Sequence, residues 1–193
     1  MINILSAFGL SSAAGLNAYL PLLIVGLLAR FTNLLTLDAP WDTLSNPWVL
    51  GILAILLGIE MTADKIPAVD SVNDLIQSVV RPAAGAILFA SNGNVISDMS
   101  PILAMVLGLM AAGSLHAVKT TARPVITATT AGMGNPVVSL MEDVASASMA
   151  LAAIILPALA AIFMLLLIFI VMRWIWRRRQ RAVIRSHKGS GYF

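Results

Sequence analysis

The feature that most constrains this fold is a series of long apolar stretches that contain almost no charged side chains. Residues 144–172 carry no Asp, Glu, Lys or Arg, and comparable stretches cover residues 4–29, 47–59, 75–90 and 101–115. Charged residues make up 11% of the chain, whereas a soluble domain has roughly 25%. Because a helix crosses a bilayer with ~20 apolar residues, the pattern predicts an all-α fold, a polytopic transmembrane helical bundle.

The basic C-terminal tail, residues 173–193, predicts which end of the bundle faces the cytoplasm. It holds seven of the twelve Lys and Arg residues and no acid, which leaves nine acids against five bases in the rest of the chain. Positive charge beside a membrane exit marks the cytoplasmic side. We therefore predict a transmembrane domain over residues 1–172 and a cytoplasmic tail, of which residues 173–185 contact anionic lipid. No folded basic surface accompanies the tail, so nucleic acid is not an expected partner.

The number of passes depends on residues 124–141, an uncharged but short stretch that glycine and proline interrupt. If this stretch crosses the membrane, the chain makes six passes and both termini are cytoplasmic. If it dips into the membrane and returns, there are five passes and the N-terminus lies outside. The sequence leaves both arrangements open. No Lys or Arg precedes Arg30, so we expect no cleavable signal peptide.

Two stripes of charged residues interrupt the apolar pattern and form the predicted polar centre. The acidic stripe comprises Glu60, Asp64, Lys65, Asp70, Asp74 and Arg81, and the basic stripe comprises His116, Lys119 and Arg123. Glu60 and Asp64 are four residues apart and project from one helix face. Asp70, Asp74 and Arg81, with spacings of four and seven, share a face if that segment is helical. The spacings of three and four in the basic stripe place its members on one face as well. Each stripe lies at the end of an apolar helix on the predicted cytoplasmic side, so we expect the two to meet.

The meeting of these stripes permits two interpretations. Either the acids and bases neutralise one another and hold the helices together, or some of them line a wet cavity that binds an ion, a proton or a polar head group. The excess of acids over bases favours a cation or a proton in the second case. His116 is either a hydrogen-bonded residue near a helix end or a proton relay, and without a second nearby histidine a zinc site is not expected.

Two segments rich in small residues predict breaks inside the membrane. The first contains Gly15 and Asn17, and the second contains Gly132, Gly134, Asn135 and Pro136. Glycine and proline free backbone groups, which at membrane depth must be buried in protein or face water. The asparagines would then supply neutral ligands to a lined cavity, although close packing of small residues explains the same pattern.

Residues 11–17 and 129–135 are also similar to each other in sequence. Such a pair is typical of a weak internal repeat in transporters, and chance composition explains it equally. The acidic pair Glu142 and Asp143 follows the second segment and separates it from the last apolar run.

No standard catalytic signature is present in the sequence. There is no Gly-x-Ser-x-Gly, His-Glu-x-x-His or phosphate-loop motif. The chain has no cysteine, which excludes disulfides, thiolate metal sites and cysteine nucleophiles. We predict no cofactor and no metal, and a non-enzymatic protein rather than an enzyme.

Several motifs, in order along the chain, resemble those of the DUF4126 family of uncharacterised bacterial integral membrane proteins. They are Ala14-Gly-Leu-Asn-Ala-Tyr-Leu-Pro21, Asn46-Pro-Trp48, Glu60-x-x-x-Asp-Lys-x-Pro-x-x-Asp-Ser71, Arg81-Pro-x-x-Gly85 and Asn135-Pro-Val-Val-Ser-Leu-x-Glu-Asp143. The resemblance covers roughly residues 5–165. It implies a multi-pass protein of the bacterial inner (cytoplasmic) membrane, and it brings no activity to this chain.

The function we predict is that of a small transporter or channel-like protein for an ion, a proton or a small polar solute. The alternative is a structural or assembly protein whose charged residues only hold the helices together. An enzyme that acts on lipid head groups is the weakest of the three. The bilayer is the expected partner, and a homo-oligomer is left open.

Overall fold

The computed structural model describes residues 2–64, 66–92, 99–156, 162–174 and 176–177. These residues form a short 3-10 helix over Trp41–Ser45 and seven α-helices: α1 (Ile2–Leu16), α2 (Tyr19–Phe31), α3 (Pro47–Ala63), α4 (Pro67–Ala90), α5 (Pro101–Thr130), α6 (Asn135–Ile155) and α7 (Ile162–Trp174). No strand occurs among them. The all-α prediction is confirmed.

Proline and asparagine determine where several helices begin. Pro47, Pro67 and Pro101 each occupy the first turn of a helix, where the missing N–H of proline costs nothing. The Asn46 side chain accepts a hydrogen bond from the Trp48 N–H at 2.9 Å and so caps α3. Pro47 and Pro101 lie at the start of predicted apolar stretches, which is why the sequence places these two helix starts well. By contrast, α4 begins at Pro67, eight residues before the predicted stretch 75–90.

The first helix, α1, lies at the centre of the bundle and packs against α4, α5 and α6. The Ser6 hydroxyl donates to the Ala153 carbonyl at 2.6 Å, and the Ser146 hydroxyl donates to the Ala13 carbonyl at 2.9 Å. As residue numbers rise along α1 they therefore fall along α6, so the two helices are antiparallel. By contrast, α2 packs mainly against α3, with which it forms a hairpin.

The helices α4 and α5 cross closely at Gly85 and Gly108. A side chain on either glycine would collide with the backbone carbonyl of the other. Small residues let helix backbones approach this closely, and the resulting van der Waals contact is a principal source of helix association in membranes. The crossing fixes Arg81, one turn before Gly85, against the middle of α5.

The structure corrects three boundaries that the sequence predicts. The stretch 124–141 is not an element of its own, because α5 is one helix of 30 residues that continues through Pro124 to Thr130, and residues 135–141 belong to α6. The basic stripe accordingly lies inside a helix rather than at its end. Glu142 and Asp143 lie within α6 rather than between two elements. The last apolar run is divided, since α6 ends at Ile155.

Two of these helices, α5 and α6, are long and apolar enough to cross a membrane by length and composition. The helices α1, α2, α3 and α7 are also apolar but shorter. The break that the sequence predicts at Gly15 and Asn17 matches the interruption between α1 and α2. The second predicted segment instead forms the turn between α5 and α6, where Ala131 and Gly132 have φ of 51° and 83°.

Candidate functional site

A buried arginine and a buried glutamate form the first part of the candidate site. Arg81 of α4 donates from Nη2 and Nε to Glu60 Oε1 of α3, at 2.9 and 3.2 Å. The Arg81 side chain is 0% exposed and that of Glu60 is 1% exposed. A pair so fully removed from water is stable only when the remaining donors and acceptors are also engaged.

Asp64, which follows the last residue of α3, is the acceptor on which three cationic side chains converge. Its Oδ2 lies 2.9 Å from Lys119 Nζ, 3.2 Å from Arg123 Nη2 and 3.6 Å from Arg81 Nη2. Its Oδ1 accepts a hydrogen bond from Asn73 Nδ2 at 2.7 Å. Asp64 thereby connects the end of α3 to both α4 and α5.

Glu142 of α6 completes the network from the other side of α5. Its Oε2 lies 2.9 Å from both Lys119 Nζ and Arg123 Nη2. The Glu142 side chain is 14% exposed and is the least buried of the carboxylates in these pairs. We call the connected residues Glu60, Asp64, Arg81, Lys119, Arg123 and Glu142 the ionic cluster; it has three acids and three bases and joins four helices.

The ionic cluster also contacts both ends of the interruption between α1 and α2. Lys119 Nζ donates to the Leu16 carbonyl at the end of α1, at 3.3 Å. The Ala18 N–H at the start of α2 donates to Glu60 Oε2 at 3.2 Å. Each charge has the sign that the adjacent helix dipole favours, a cation at the C-terminus and an anion at the N-terminus.

His116 contacts the ionic cluster through Arg81. Its Nδ1 lies 3.0 Å from Arg81 Nη1. Since a guanidinium only donates, Nδ1 must be the acceptor, and a neutral ring then has its proton on Nε2. His116 Nε2 is buried and has no hydrogen-bond partner among the described residues. Only one of the two ring nitrogens of His116 therefore has a hydrogen-bond partner among the described residues.

A row of polar side chains runs along the buried face of α6. Asn135 exchanges hydrogen bonds with Thr127 of α5, at 3.0 and 3.1 Å. One turn apart follow Ser139 and Asp143, both buried. Asp143 Oδ1 accepts a hydrogen bond from Asn17 Nδ2 at 2.9 Å. This row brings α6 against the interruption between α1 and α2.

Asn17 stabilises the interruption through both parts of its side-chain amide. Its Oδ1 accepts from the N–H groups of Tyr19 and Leu20, at 3.2 and 3.0 Å. Its Nδ2 donates to Asp143 as described above. Asparagine satisfies a helix start and a neighbouring carboxylate at once because it has both an acceptor and two donors.

The structure brings six of the nine members of the predicted polar centre together. Glu60, Asp64, Arg81, His116, Lys119 and Arg123 meet as expected. Asp74 takes part in no described ion pair, and its buried Oδ1 has no hydrogen-bond partner among the described residues. Lys65 and the side chain of Asp70 lie outside the described residues.

The small-residue segments have different roles from one another. Gly15 packs against the backbone of α5 at Ala112. Gly134 precedes α6, and Pro136 occupies the first turn of that helix. Asn135 bonds to α5 rather than to the polar centre, so the two asparagines do not act as an equivalent pair.

Sequence reasoning missed three uncharged residues near the site. Asn73 holds Asp64, Gln77 is buried on α4, and Ser139 is buried on α6. The sequence contains a signal for two of them. Gln77 precedes Arg81 by four residues and Ser139 precedes Asp143 by four, so each lies on the same helix face as a charged residue. The predicted acidic pair is also divided in the structure, with Glu142 in the ionic cluster and Asp143 bonded to Asn17.

A comparison with family models identifies the group of proteins to which the chain is related. A model described as "Domain of unknown function (DUF4126)" matches residues 4–177. The chain belongs to the DUF4126 family. The match covers every residue of the ionic cluster and the whole interruption between α1 and α2, so the site of this DUF4126 protein lies within the family domain. No curated protein and no solved structure matches the chain.

Proposed function

We propose that this chain is a multi-pass membrane protein that moves a small ion or polar solute across the bilayer. Membrane insertion is supported by how little of its apolar helices is buried. In the most apolar 18-residue stretch of α5 only 28% is buried, and in that of α6 only 33%. The core helix of a soluble protein would be mostly buried. Exposed apolar side chains also cover α3 and α4, among them Ile52, Ile55, Leu75 and Val79. Contiguous exposed apolar surface of this kind favours contact with lipid.

The packing of α1 favours five passes with the N-terminus outside. Ser6 near the start of α1 bonds to Ala153 near the end of α6, and Ala7 packs in one cluster with Ala90 and Ala104. The start of α1 therefore shares one end of the bundle with the end of α4 and the start of α5. The α2–α3 hairpin begins and ends at the ionic cluster, so it does not change the side on which the chain continues. When α7 returns across the bilayer, the tail reaches the cytoplasmic side.

Labelling of single cysteines tests this topology, because the chain has no cysteine of its own. Ile4→Cys and Ser100→Cys are expected to react with a membrane-impermeant maleimide in intact cells. Met133→Cys and Ser186→Cys are expected to react only after the membrane is permeabilised. Protection of Ile4→Cys together with Ser186→Cys would place both termini inside and support six passes instead.

Transport is supported by one observation, the interruption of the first helix beside buried charges of opposite sign. Lys119 lies at the end of α1 and Glu60 at the start of α2. In transporters, discontinuous helices of this type place their helix ends at the substrate and ion sites. In this protein the same positions are filled by its own side chains, so a solute would enter by exchanging with one of them.

A second candidate function is purely structural, and the completeness of the pairing supports it. All six charged groups of the ionic cluster have an oppositely charged partner, and at most 14% of any of their side chains is exposed. Charges that satisfy one another need no solute. A protein that holds other membrane components in place would require no more than this.

Solute flux into proteoliposomes separates the two functions. We expect one of protons, metal cations or small anions to move faster through vesicles that contain the protein than through protein-free vesicles. At equal amounts of folded protein, Asp64→Asn is expected to reduce this flux to the protein-free rate, because it removes the negative charge on which Lys119, Arg123 and Arg81 converge. The matched control Asp42→Asn, in the exposed 3-10 helix, should leave it unchanged. If no solute in the screen moves faster than through protein-free vesicles, the structural function is favoured.

A further inference from the structure

Asp143 differs from the carboxylates of the ionic cluster because no described cationic side chain lies within ion-pair distance of it. The three acids and three bases of the ionic cluster balance one another, and Asp143 forms no ion pair with any described residue. Only 5% of Asp143 is exposed. An isolated buried carboxylate is strongly unfavourable unless it is neutralised. A proton or a bound cation would neutralise this carboxylate.

The two unpartnered oxygens on this face of α6 belong to Asp143 and Ser139. Asp143 Oδ2 and Ser139 Oγ are both buried, and neither has a hydrogen-bond partner among the described residues. Ser139 is 0% exposed and precedes Asp143 by one helical turn, so both side chains project from one face into the bundle. The two oxygens do not hydrogen-bond to each other, so each keeps lone pairs that a third species can use.

We propose that Asp143 and Ser139 bind a small monovalent metal cation, with Na⁺ as the natural probe. The inference deepens the proposed function, because it assigns the ion with which solute movement would be coupled. Oxygen ligands from a carboxylate and a hydroxyl suit a hard cation. The single negative charge of Asp143 matches a single positive charge.

The surroundings of this pair favour a monovalent ion over a divalent one. Ca²⁺ takes six to eight oxygen ligands, usually with several carboxylates among them, and the described residues contain no group of three acidic or histidine side chains that could hold such a metal. Asn17 donates to Asp143 Oδ1 from the interruption between α1 and α2, which leaves Oδ2 as the oxygen of this carboxylate that can bind a cation.

The thermal stability of the purified protein in detergent tests the site without any measurement of transport. A ligand that binds only the folded state raises Tm. We expect NaCl to raise Tm by several degrees relative to choline chloride at equal ionic strength, once Na⁺ exceeds its Kd about 100-fold. Asp143→Asn and Ser139→Ala should each abolish this difference. The matched control Ser148→Ala, an exposed serine on the same helix, should retain it.

Each outcome of this experiment decides the inference. It is overturned if Tm is the same in NaCl and choline chloride, or if the difference survives in Asp143→Asn or Ser139→Ala. A Tm that responds to pH through Asp143 but not to Na⁺ also overturns it, because a proton then neutralises the carboxylate. Should Asp143→Asn not fold, Ser139→Ala alone decides, since it removes one oxygen and no charge. If Na⁺ raises Tm but the protein carries no solute flux, the cation site stands and the transport function is refuted. If flux is seen but Na⁺ does not change Tm, only the cation site is refuted.

Discussion

Arg81→Met is expected to destabilise the folded protein by ~3–5 kcal/mol, which is the usual effect of removing one partner from a buried ion pair. Glu60 would lose both guanidinium donors and keep only the Ala18 N–H, and at 1% exposure water could not replace the lost donors. His116 Nδ1 would also lose its donor. Native stabilities of roughly 5–15 kcal/mol leave little after such a loss, so the yield of folded protein should fall sharply.

The matched control for this substitution is Arg30→Met, which changes an exposed arginine at the end of α2. Surface substitutions usually change stability by about 0.5 kcal/mol or less. Thermal unfolding in detergent measures both variants. The double variant Glu60→Gln/Arg81→Met removes both charges and keeps an acceptor for the Ala18 N–H, so it should be more stable than Arg81→Met alone. Equal stability of Arg81→Met and Arg30→Met would show that the pair contributes nothing.

Asp64→Ala is the second substitution for which we expect a loss of ~3–5 kcal/mol. It leaves Glu60 and Glu142 to balance three cations, and it leaves the Asn73 amide without its acceptor. Lys119, Arg123 and Arg81 would repel one another in a region that water scarcely reaches. The expected result is a large fall in folded yield, measured by size-exclusion chromatography of the detergent extract.

A charge-restoring variant makes this prediction specific. Asp64→Ala/Lys119→Met again has equal numbers of acids and bases in the ionic cluster, so it should recover part of the yield that Asp64→Ala loses. Asp42→Ala, in the exposed 3-10 helix, is the control and should express normally. The role of Asp64 as a shared acceptor would be refuted by a normal yield of Asp64→Ala, or by a double variant no better than the single one.

The sequence predicts the helical class and the meeting of the two charged stripes because both depend on local spacing. Glu60 and Asp64 are four residues apart, and Lys119 and Arg123 repeat that spacing, so each pair projects from one helix face. A charged face on an apolar helix must find a partner of opposite sign. These two facts are enough to predict that the pairs meet.

The boundaries of α5 and α6 could not be predicted in the same way, because distant residues determine them. Lys119 and Arg123 are signals that end a transmembrane stretch when they face water. Here Asp64 and Glu142, from helices on either side, neutralise them, and the helix continues through Pro124. Asp143 is likewise kept inside α6 by Asn17, a partner 126 residues away. No local pattern indicates such pairings.

The serine-to-carbonyl hydrogen bonds of α1 have a consequence for the synthesis of the protein. Ser11 bonds to a carbonyl 74 residues away, the Ala13 carbonyl to a serine 133 residues away, and Ser6 to a carbonyl 147 residues away. At ~5–20 residues per second, the last of these partners emerges roughly 7–30 s after Ser6 does. Ser11 gains its partner when α4 emerges, but Ser6 and the Ala13 carbonyl have no partner until α6 emerges. A nascent chain that ends before α6 should therefore be the form that cellular quality control removes.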